Sequence, residues 1–284
     1  MKNKDFAVFI LTHGRPNKVY TYDCLRSHGY TGKIYIIIDN EDDSASQYRA
    51  KYGEQVIVFD KKEIAKTFDS GDNFDDRRAI IYARNASFEI AKSLGLKYFI
   101  ELDDDYTVFA YKFDEKFRYH QTHIKNLDRV FDILLEFYKV IPAKSIAFAQ
   151  NGDFIGGATG SFSKHIKLRR KCMNTFICSV DRPFKFMGRI NEDVNTYTRL
   201  GSVGQLFFTV PNVNINQIQT QSNSGGMTEL YLDSGTYLKS FYSIMYQPSS
   251  VKISLMGSVH KRLHHLVHWK NTTPFILSET HKKQ

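Results

Sequence analysis

Three consecutive aspartates, Asp103-Asp104-Asp105, follow the apolar run Tyr98-Phe99-Ile100-Glu101-Leu102. Like charges side by side destabilise a fold unless a cation or hydrogen-bond donors compensate them. Asp103 and Asp105 are two positions apart, so in an extended segment they point the same way and can share one ligand. Carboxylate oxygens are hard donors that suit Mg²⁺ or Mn²⁺, ions that also bridge substrate phosphates. A DxD occurs by chance as a solvated acidic turn, so its surroundings decide its meaning.

A second group of chemically capable residues lies near the end of the sequence. His260, His264 and His268 recur every four residues, with His265 alongside. On a helix the first three share a face; in a strand His264 and His265 point to opposite sides. The plain alternative is a basic amphipathic surface segment. No cysteine accompanies the histidines, which disfavours zinc. The three cysteines, Cys24, Cys172 and Cys178, fit neither a zinc site nor a disulfide framework. A reducing, cytoplasmic setting is therefore expected.

The elements that must position these residues are written in apolar runs. Phe6-Ala7-Val8-Phe9-Ile10-Leu11, Ile34-Tyr35-Ile36-Ile37-Ile38, Val56-Ile57-Val58-Phe59 and the run at 98–102 are of strand length and do not alternate. Such runs suit strands covered on both faces. Between them lie stretches that read as helices: from Pro16 to a stop at Gly29, over 44–52, and over 77–94 with Gly95 as a stop. Strand and helix in alternation imply a parallel sheet with helical crossovers. Ligands bind outside the carboxyl ends of such strands. Three of those ends carry polar clusters, at 12–15, at Asp39-Asn40 and at 103–105.

The second half is less regular. A helix is predicted over 127–140 and strands over 145–149 and 206–210. Glycine-rich and basic segments lie at 156–160 and 164–171, and a Ser-Asn-Ser-Gly-Gly-Met loop at 222–227. With no repeat and no low-complexity linker, one domain is expected over 1–284.

The chain has 284 residues, 42% apolar and 24% charged, with 17 Tyr and 22 Phe, which excludes wholesale disorder, collagen and coiled coil. No apolar stretch is long enough for a membrane span. The net charge of +9 favours polyanionic partners.

The segment Ala83-Arg84-Asn85-Ala86, then Ala91, then the run ending in Asp103-Asp104-Asp105 resembles the nucleotide-sugar glycosyltransferases of the GT-A fold. Their hallmark is an Arg-Asn on the helix before an apolar strand that ends in a DxD. Thr12, Gly14, Arg15 and Pro16 after the first strand, and Asp39 after the second, look like that family's donor-binding start. Asn191-Glu192-Asp193-Val194 resembles its acidic element beside the acceptor.

The resemblance implies an α/β fold of GT-A type, a Rossmann-like, mostly parallel sheet with helices on both faces. Residues 1–110 would form the nucleotide-sugar-binding half and 111–284 an elaborated acceptor-binding half. Thr12, Gly14, Arg15, Asp39, Arg84, Asp103 and Asp104 then belong to the donor site, with Gly157 and Ala158 beside the donor sugar. Asp105 ligates Mn²⁺ or Mg²⁺, helped by His264 or His265. Asp193 is the general base on the acceptor hydroxyl if the enzyme inverts, with Glu192 as its neighbour and possible substitute.

Ser224-Gly225-Gly226-Met227 and the segment from Arg262 through His264, His265 and His268 to Lys270 look like bacteriophage glycosyltransferases that decorate hydroxymethylated pyrimidines in DNA, including those linked to TET-type oxygenases. That resemblance implies a nucleotide sugar, with UDP the commonest nucleotide, as donor, DNA as acceptor, and action in the host cytoplasm. Two other readings stay open: a glycosyltransferase acting on a glycan, lipid-linked sugar or protein, and a non-catalytic nucleotide- or DNA-binding module. A nucleotidyltransferase is disfavoured because residues 12–16 hold a single glycine.

Overall fold

In the computed structural model, the described residues are 2–72, 77–116, 118–154, 157–159, 169–170, 172, 174–218, 238–256 and 262–273. The first four strands are β1 (Phe6–Leu11), β2 (Lys33–Asp39), β3 (Val56–Phe59) and β4 (Tyr98–Asp103). Helices α1 (Tyr20–Ser27), α2 (Ala45–Tyr52), α3 (Lys61–Ala65) and α4 (Ile81–Ser93) connect them. The second half adds β5 (Tyr106–Phe113), β6 (Tyr119–His123), α5 (Leu127–Val140), β7 (Ala143–Gln150), β8 (Thr175–Ser179), α6 (Glu192–Ser202) and β9 (Leu206–Gln217). A helix α7 over 238–246, β10 (Val251–Met256), β11 (Arg262–Val267) and a short α8 (Trp269–Thr272) follow.

Nine strands form one sheet in the order β3-β2-β1-β4-β8-β7-β9-β5-β6. The expected parallel arrangement holds from β3 to β4 and again between β7 and β9. Four other pairings are antiparallel: β4 with β8, β8 with β7, β9 with β5, and β5 with β6. The sheet is therefore mixed. β8 inserts between β4 and β7, so strands from both halves of the chain share one ladder.

The continuous apolar runs are explained by burial on both faces. All six residues of β1 are buried. Val8 and Ile10 pack with Phe131 of α5 in one core, while Phe9 and Leu11 pack with α4 and Phe99 in the other. α5 shows its amphipathic period directly: Leu127, Val130, Phe131, Leu134, Leu135 and Tyr138 are buried, whereas Ile133 is exposed. Asn126 caps its start by accepting a hydrogen bond from the Arg129 N–H at 3.0 Å. α4 starts at Ile81, later than the predicted 77, and Gly95 ends it with a φ of 66° that a side chain would resist.

β10 and β11 make a separate antiparallel pair. His264 and His265 therefore sit on a strand, and the helical reading of the histidine repeat does not hold. The β propensity of Val, Ile and Leu in 251–256 and 262–267 outweighs the spacing of four. His260, Lys261 and the loop at 222–227 lie outside the described residues, as do Lys164, Lys167 and Lys171 of the basic run. Among the described residues, no helix is long and apolar enough to cross a membrane.

Candidate active site

The carboxyl ends of β1, β2 and β4 come together as expected, and the acidic tip is their centre. β4 stops at Asp103, and Asp104 and Asp105 form the turn into β5. The tip is thus a turn and not the extended segment read from the sequence. Its backbone is pinned from two sides. Thr21 of α1 donates its hydroxyl to the Asp103 carbonyl at 2.6 Å and accepts from the Tyr106 N–H at 2.9 Å. The Ile218 N–H, just past β9, donates to the Asp105 carbonyl at 3.0 Å.

The three carboxylates have different partners. Asp104, only 3% exposed, accepts from the Thr12 hydroxyl at 2.6 Å and pairs with Arg15 at 3.2 Å. The middle aspartate therefore clasps the loop after β1. Tyr48 of α2 reinforces that clasp, because the Arg15 N–H donates to its hydroxyl at 2.8 Å. Asp103 accepts from Arg84 at 3.1 Å. Asp105 lies near both of its neighbours, and its Oδ1 is buried with no hydrogen-bond partner among the described residues. Burial and the charges of Asp103 and Asp104 push the Asp105 carboxyl up to about 7. Burial, partly offset by Arg84, puts Asp103 at about 6, with Asp104 and Asp193 adding to the rise.

Arg84 is the hub of the site. Its side chain is nearly inaccessible and reaches three carboxylates: Asp103, Glu192 at 3.1 Å and Glu101 at 3.4 Å. It also lies against the faces of Phe176 and Phe186, 4.9 and 5.7 Å from the ring centroids. Burial opposes its charge, but Asp103, Glu192 and Glu101 outweigh burial and hold its pKa above the ordinary value. The next residue, Asn85, exchanges two hydrogen bonds with the Phe186 backbone at 2.9 and 3.1 Å. The Arg-Asn pair thereby fixes the acidic tip with one side chain and the segment leading to α6 with the other.

Glu192 and Asp193 open α6. Burial and the charge of Asp193 raise the Glu192 pKa. Asp193 Oδ1 accepts from the Val194 N–H at 2.7 Å. Asn191, just before them, adopts a left-handed φ of 57°. Its amide contacts the Lys239 carbonyl and Ser243 of α7, and His265 Nδ1 of β11 at 3.1 Å. His265 is thus brought to the start of α6, and the ring of His264 lies tilted beside it with centroids 4.2 Å apart. Neither histidine gathers with Asp103 and Asp105 into one ligand set: among the described residues no three His, Cys, Asp or Glu form a metal-binding group. All three cysteines are buried and free.

At the end of β2, Asp39 accepts from His13 Nδ1 at 2.8 Å and from the Lys61 ammonium at 3.2 Å. Gly14, at a φ of 67°, directs its N–H to Asp42 at 2.7 Å. His13, Asp42, Tyr48 and Lys61 were not singled out from the sequence. His13 and Asp42 adjoin strand ends that were, so the clusters at 12–15 and 39–40 held the signal. Nothing local marked Tyr48 or Lys61.

The hydrogen bond that His13 donates to Asp39 raises the His13 pKa above its usual 6.5, with burial opposing it. Burial alone would raise Asp39; the His13 hydrogen bond and Lys61 outweigh it and hold Asp39 below 3.8. The His13 share of stability is therefore complete below about 6.5 and lost as pH rises through the raised value. The Asp39 share is present above about 3.8 and lost as pH falls through the lowered one. His13→Ala is expected to cost most stability between about pH 4 and 6 and progressively less above 7. Denaturant titrations of both proteins across pH 4–9 check this. A difference that grows toward pH 9 rejects the ion pair.

The tip suits a divalent cation held jointly with a substrate. Asp105 offers a buried, unpartnered oxygen, and Asp103 stands beside it. Mg²⁺-type ions are usually bound by one or two carboxylates plus substrate phosphates, without a full cage of protein ligands.

A mixed α/β sheet with polar loops at the ends of β1 and β2 and an acidic turn after β4 is the arrangement expected of a nucleotide-sugar glycosyltransferase. The particular family follows from the sequence as a whole. A model of the TET-associated glycosyltransferase family matches residues 6–226, and the chain belongs to that family. No curated protein matches it significantly. Among solved structures it is similar to glucosyl-3-phosphoglycerate synthase from Mycobacterium tuberculosis, described in complex with Mn²⁺, UDP and phosphoglyceric acid. The match has 10% identity and a TM-score of 0.45, and covers 92% of this chain and 86% of that one.

Proposed function

We propose that the chain, working as one domain, transfers a sugar from a nucleotide diphosphate donor to the hydroxymethyl group of a modified pyrimidine in DNA, with Mn²⁺ or Mg²⁺ as cofactor. The observation that carries this reading is the buried, unpartnered Asp105 carboxylate oxygen beside Asp103, at the end of the strand that Arg84 braces. Membership of a family described as TET-associated supports a hydroxymethylated base as acceptor, and the net charge of +9 supports a polyanion. On this reading the enzyme works in the cytoplasm of a phage-infected host.

Each group then has a task. The loop at 12–15, clasped by Asp104, and Asp39 receive the nucleoside. Asp103 and Asp105 hold the cation, which neutralises the departing diphosphate as a Lewis acid. Asp193 accepts the proton of the acceptor hydroxyl as it attacks the anomeric carbon. Its position at the start of α6, close enough to Asp103 for their charges to interact, supports this role. A base inside a duplex must be flipped out to reach this point.

The test supplies hydroxymethylated DNA and a panel of nucleotide sugars and measures the mass of the base. A sugar-sized gain on the base, with binding that weakens steeply as salt rises, supports the proposal. Labelled sugar appearing only on lipid, glycan or protein rejects DNA as acceptor, and a complete lack of donor turnover favours a binding module. Asp193→Asn is expected to lower the transfer rate at least ~10²-fold, the usual worth of a positioned base. An unchanged rate removes Asp193 from that role.

A further inference from the structure

Lys112 of β5 is 4% exposed, a rare position for a lysine. Its ammonium donates to Gln121 Oε1 of β6 at 2.6 Å and to Asn151 Oδ1 at 3.0 Å. The rings of Phe154 and Tyr119 lie 5.3 and 6.0 Å from it. Burial lowers its pKa. An ammonium has three N–H donors, and the two amide oxygens use two of them.

Asn214 of β9 adjoins this lysine and is 0% exposed. Its Nδ2 donates to the same Asn151 Oδ1 at 2.8 Å and to the Ile215 carbonyl at 3.1 Å, which fixes the orientation of the amide. Asn214 Oδ1 has no hydrogen-bond partner among the described residues. A buried acceptor left unpaired is costly, so its retention calls for a donor from elsewhere. Asn214 and Lys112 converge on one oxygen, so a spare donor and a spare acceptor stand side by side.

The strand that carries Asn214 runs toward the proposed active site. Asn214 is four residues before Ile218, whose N–H holds the Asp105 carbonyl, a span of about 13 Å along a strand. Tyr119, 43% exposed, covers the lysine from the edge of the sheet, where β6 pairs on one side only. Gly157 lies against its ring, such that an added Cβ would stand 3.7 Å from Tyr119 Cδ1.

We infer that Lys112, Asn151 and Asn214 form a recognition subsite for a neutral ring edge that presents a hydrogen-bond acceptor next to a donor. A pyrimidine base and a sugar with neighbouring hydroxyls share this chemistry, and both have a face for Tyr119 to cover. The ligand's acceptor meets the third N–H of Lys112, and its donor satisfies Asn214 Oδ1. A phosphate suits the pair poorly, because it has no donor for Asn214. The inference rests on the proposed glycosyl transfer in taking the ligand to be the acceptor base or the donor sugar.

Steady-state transfer to a hydroxymethylated oligonucleotide and donor hydrolysis without acceptor are measured for the wild type, Lys112→Met, Asn214→Ala and Tyr119→Ala. The Tyr119 variant alters an exposed side chain and keeps the test open if the buried variants fail to fold. Each folded variant should raise one KM about tenfold, the worth of a hydrogen bond or two. A higher KM for the oligonucleotide with unchanged donor hydrolysis identifies the acceptor base. A higher donor KM in both assays identifies the sugar. Folded variants with both KM values unchanged overturn the inference, leaving water as the partner of Asn214. A wild type that transfers nothing to this DNA defeats the acceptor reading alone; unchanged donor hydrolysis in the variants would then overturn the subsite.

Discussion

Asp105→Ala is expected to abolish transfer while leaving the protein folded and no less stable than the wild type. Both halves of that result follow from one feature. The Asp105 carboxylate is half-buried at a turn beside two other carboxylates, and its Oδ1 is buried with no hydrogen-bond partner among the described residues. Burial and its neighbours push its pKa up to about 7, so without a cation the ionised form is disfavoured where it stands. Removing it relieves repulsion and leaves few hydrogen bonds broken. A carboxyl with a raised pKa and a buried, unpartnered oxygen is best explained by function. Its loss removes the site's hold on the cation that stabilises the departing diphosphate, a contribution of several kcal/mol and hence roughly 10³-fold in rate.

Two measurements check the expectation. Thermal unfolding without metal should give Asp105→Ala a midpoint equal to or above that of the wild type. Adding Mn²⁺ with a nucleoside diphosphate should raise the wild-type midpoint and leave the variant's nearly unchanged, since only a bound ligand stabilises the native state. Wild-type activity of the variant in excess chelator would rule out the metal assignment.

The sequence made the site's centre legible because the chemistry there is local. An apolar strand must end somewhere, and in a parallel sheet its carboxyl end is where ligands bind. The runs at 6–11, 34–38 and 98–102 therefore pointed to residues 12–15, 39 and 103–105, and the structure brings those groups together. Arg84 was legible only through the resemblance to the GT-A glycosyltransferases, whose Arg-Asn precedes the strand bearing the acids.

What was missed depends on chain reversals. Asp104 was grouped with its neighbours as a donor contact, but a turn at 104–105 directs its carboxylate to Thr12 and Arg15. Lys61 reaches Asp39 across 22 positions, and Asn191 meets His265 across 74. Periodicity holds no record of such separations. The antiparallel strands β5, β6 and β8 were also missed. β5 and β6 mix apolar with polar residues and shift register between Tyr111 and Phe113, and the apolar part of β8 is only Phe176-Ile177-Cys178, too short a run to announce a strand.

Arg84→Met tests whether the hub is structural as well as functional, and a large loss of stability is expected. The substitution roughly keeps the side chain's length and its contact with the rings of Phe176 and Phe186. What it removes is the cation shared by Glu101, Asp103 and Glu192. Taking one partner from a buried ion pair costs about 3–5 kcal/mol, because the remaining charge is left without compensation. For a chain of this size that is a fall of roughly 10 °C in the unfolding midpoint. Transfer should fall with it, since Asp103 and the start of α6 lose their common anchor.

The pH dependence separates this cause from simple loss of packing. Glu101 is fully buried, and burial raises its pKa to about 8 even with Arg84 beside it. Without the guanidinium it and its neighbours titrate higher still. A carboxyl whose folded pKa is raised favours the fold below its unfolded value, near 4.5, and that contribution is lost as pH rises through the folded value. The variant's deficit should accordingly be small near pH 5 and widen toward pH 8. Arg84→Lys keeps one charge but lacks the fork that reaches three partners, so it should recover only part of the difference. An equal deficit at both pH values would mean that packing against the two rings, and not the shared charge, is what Arg84 contributes to the fold.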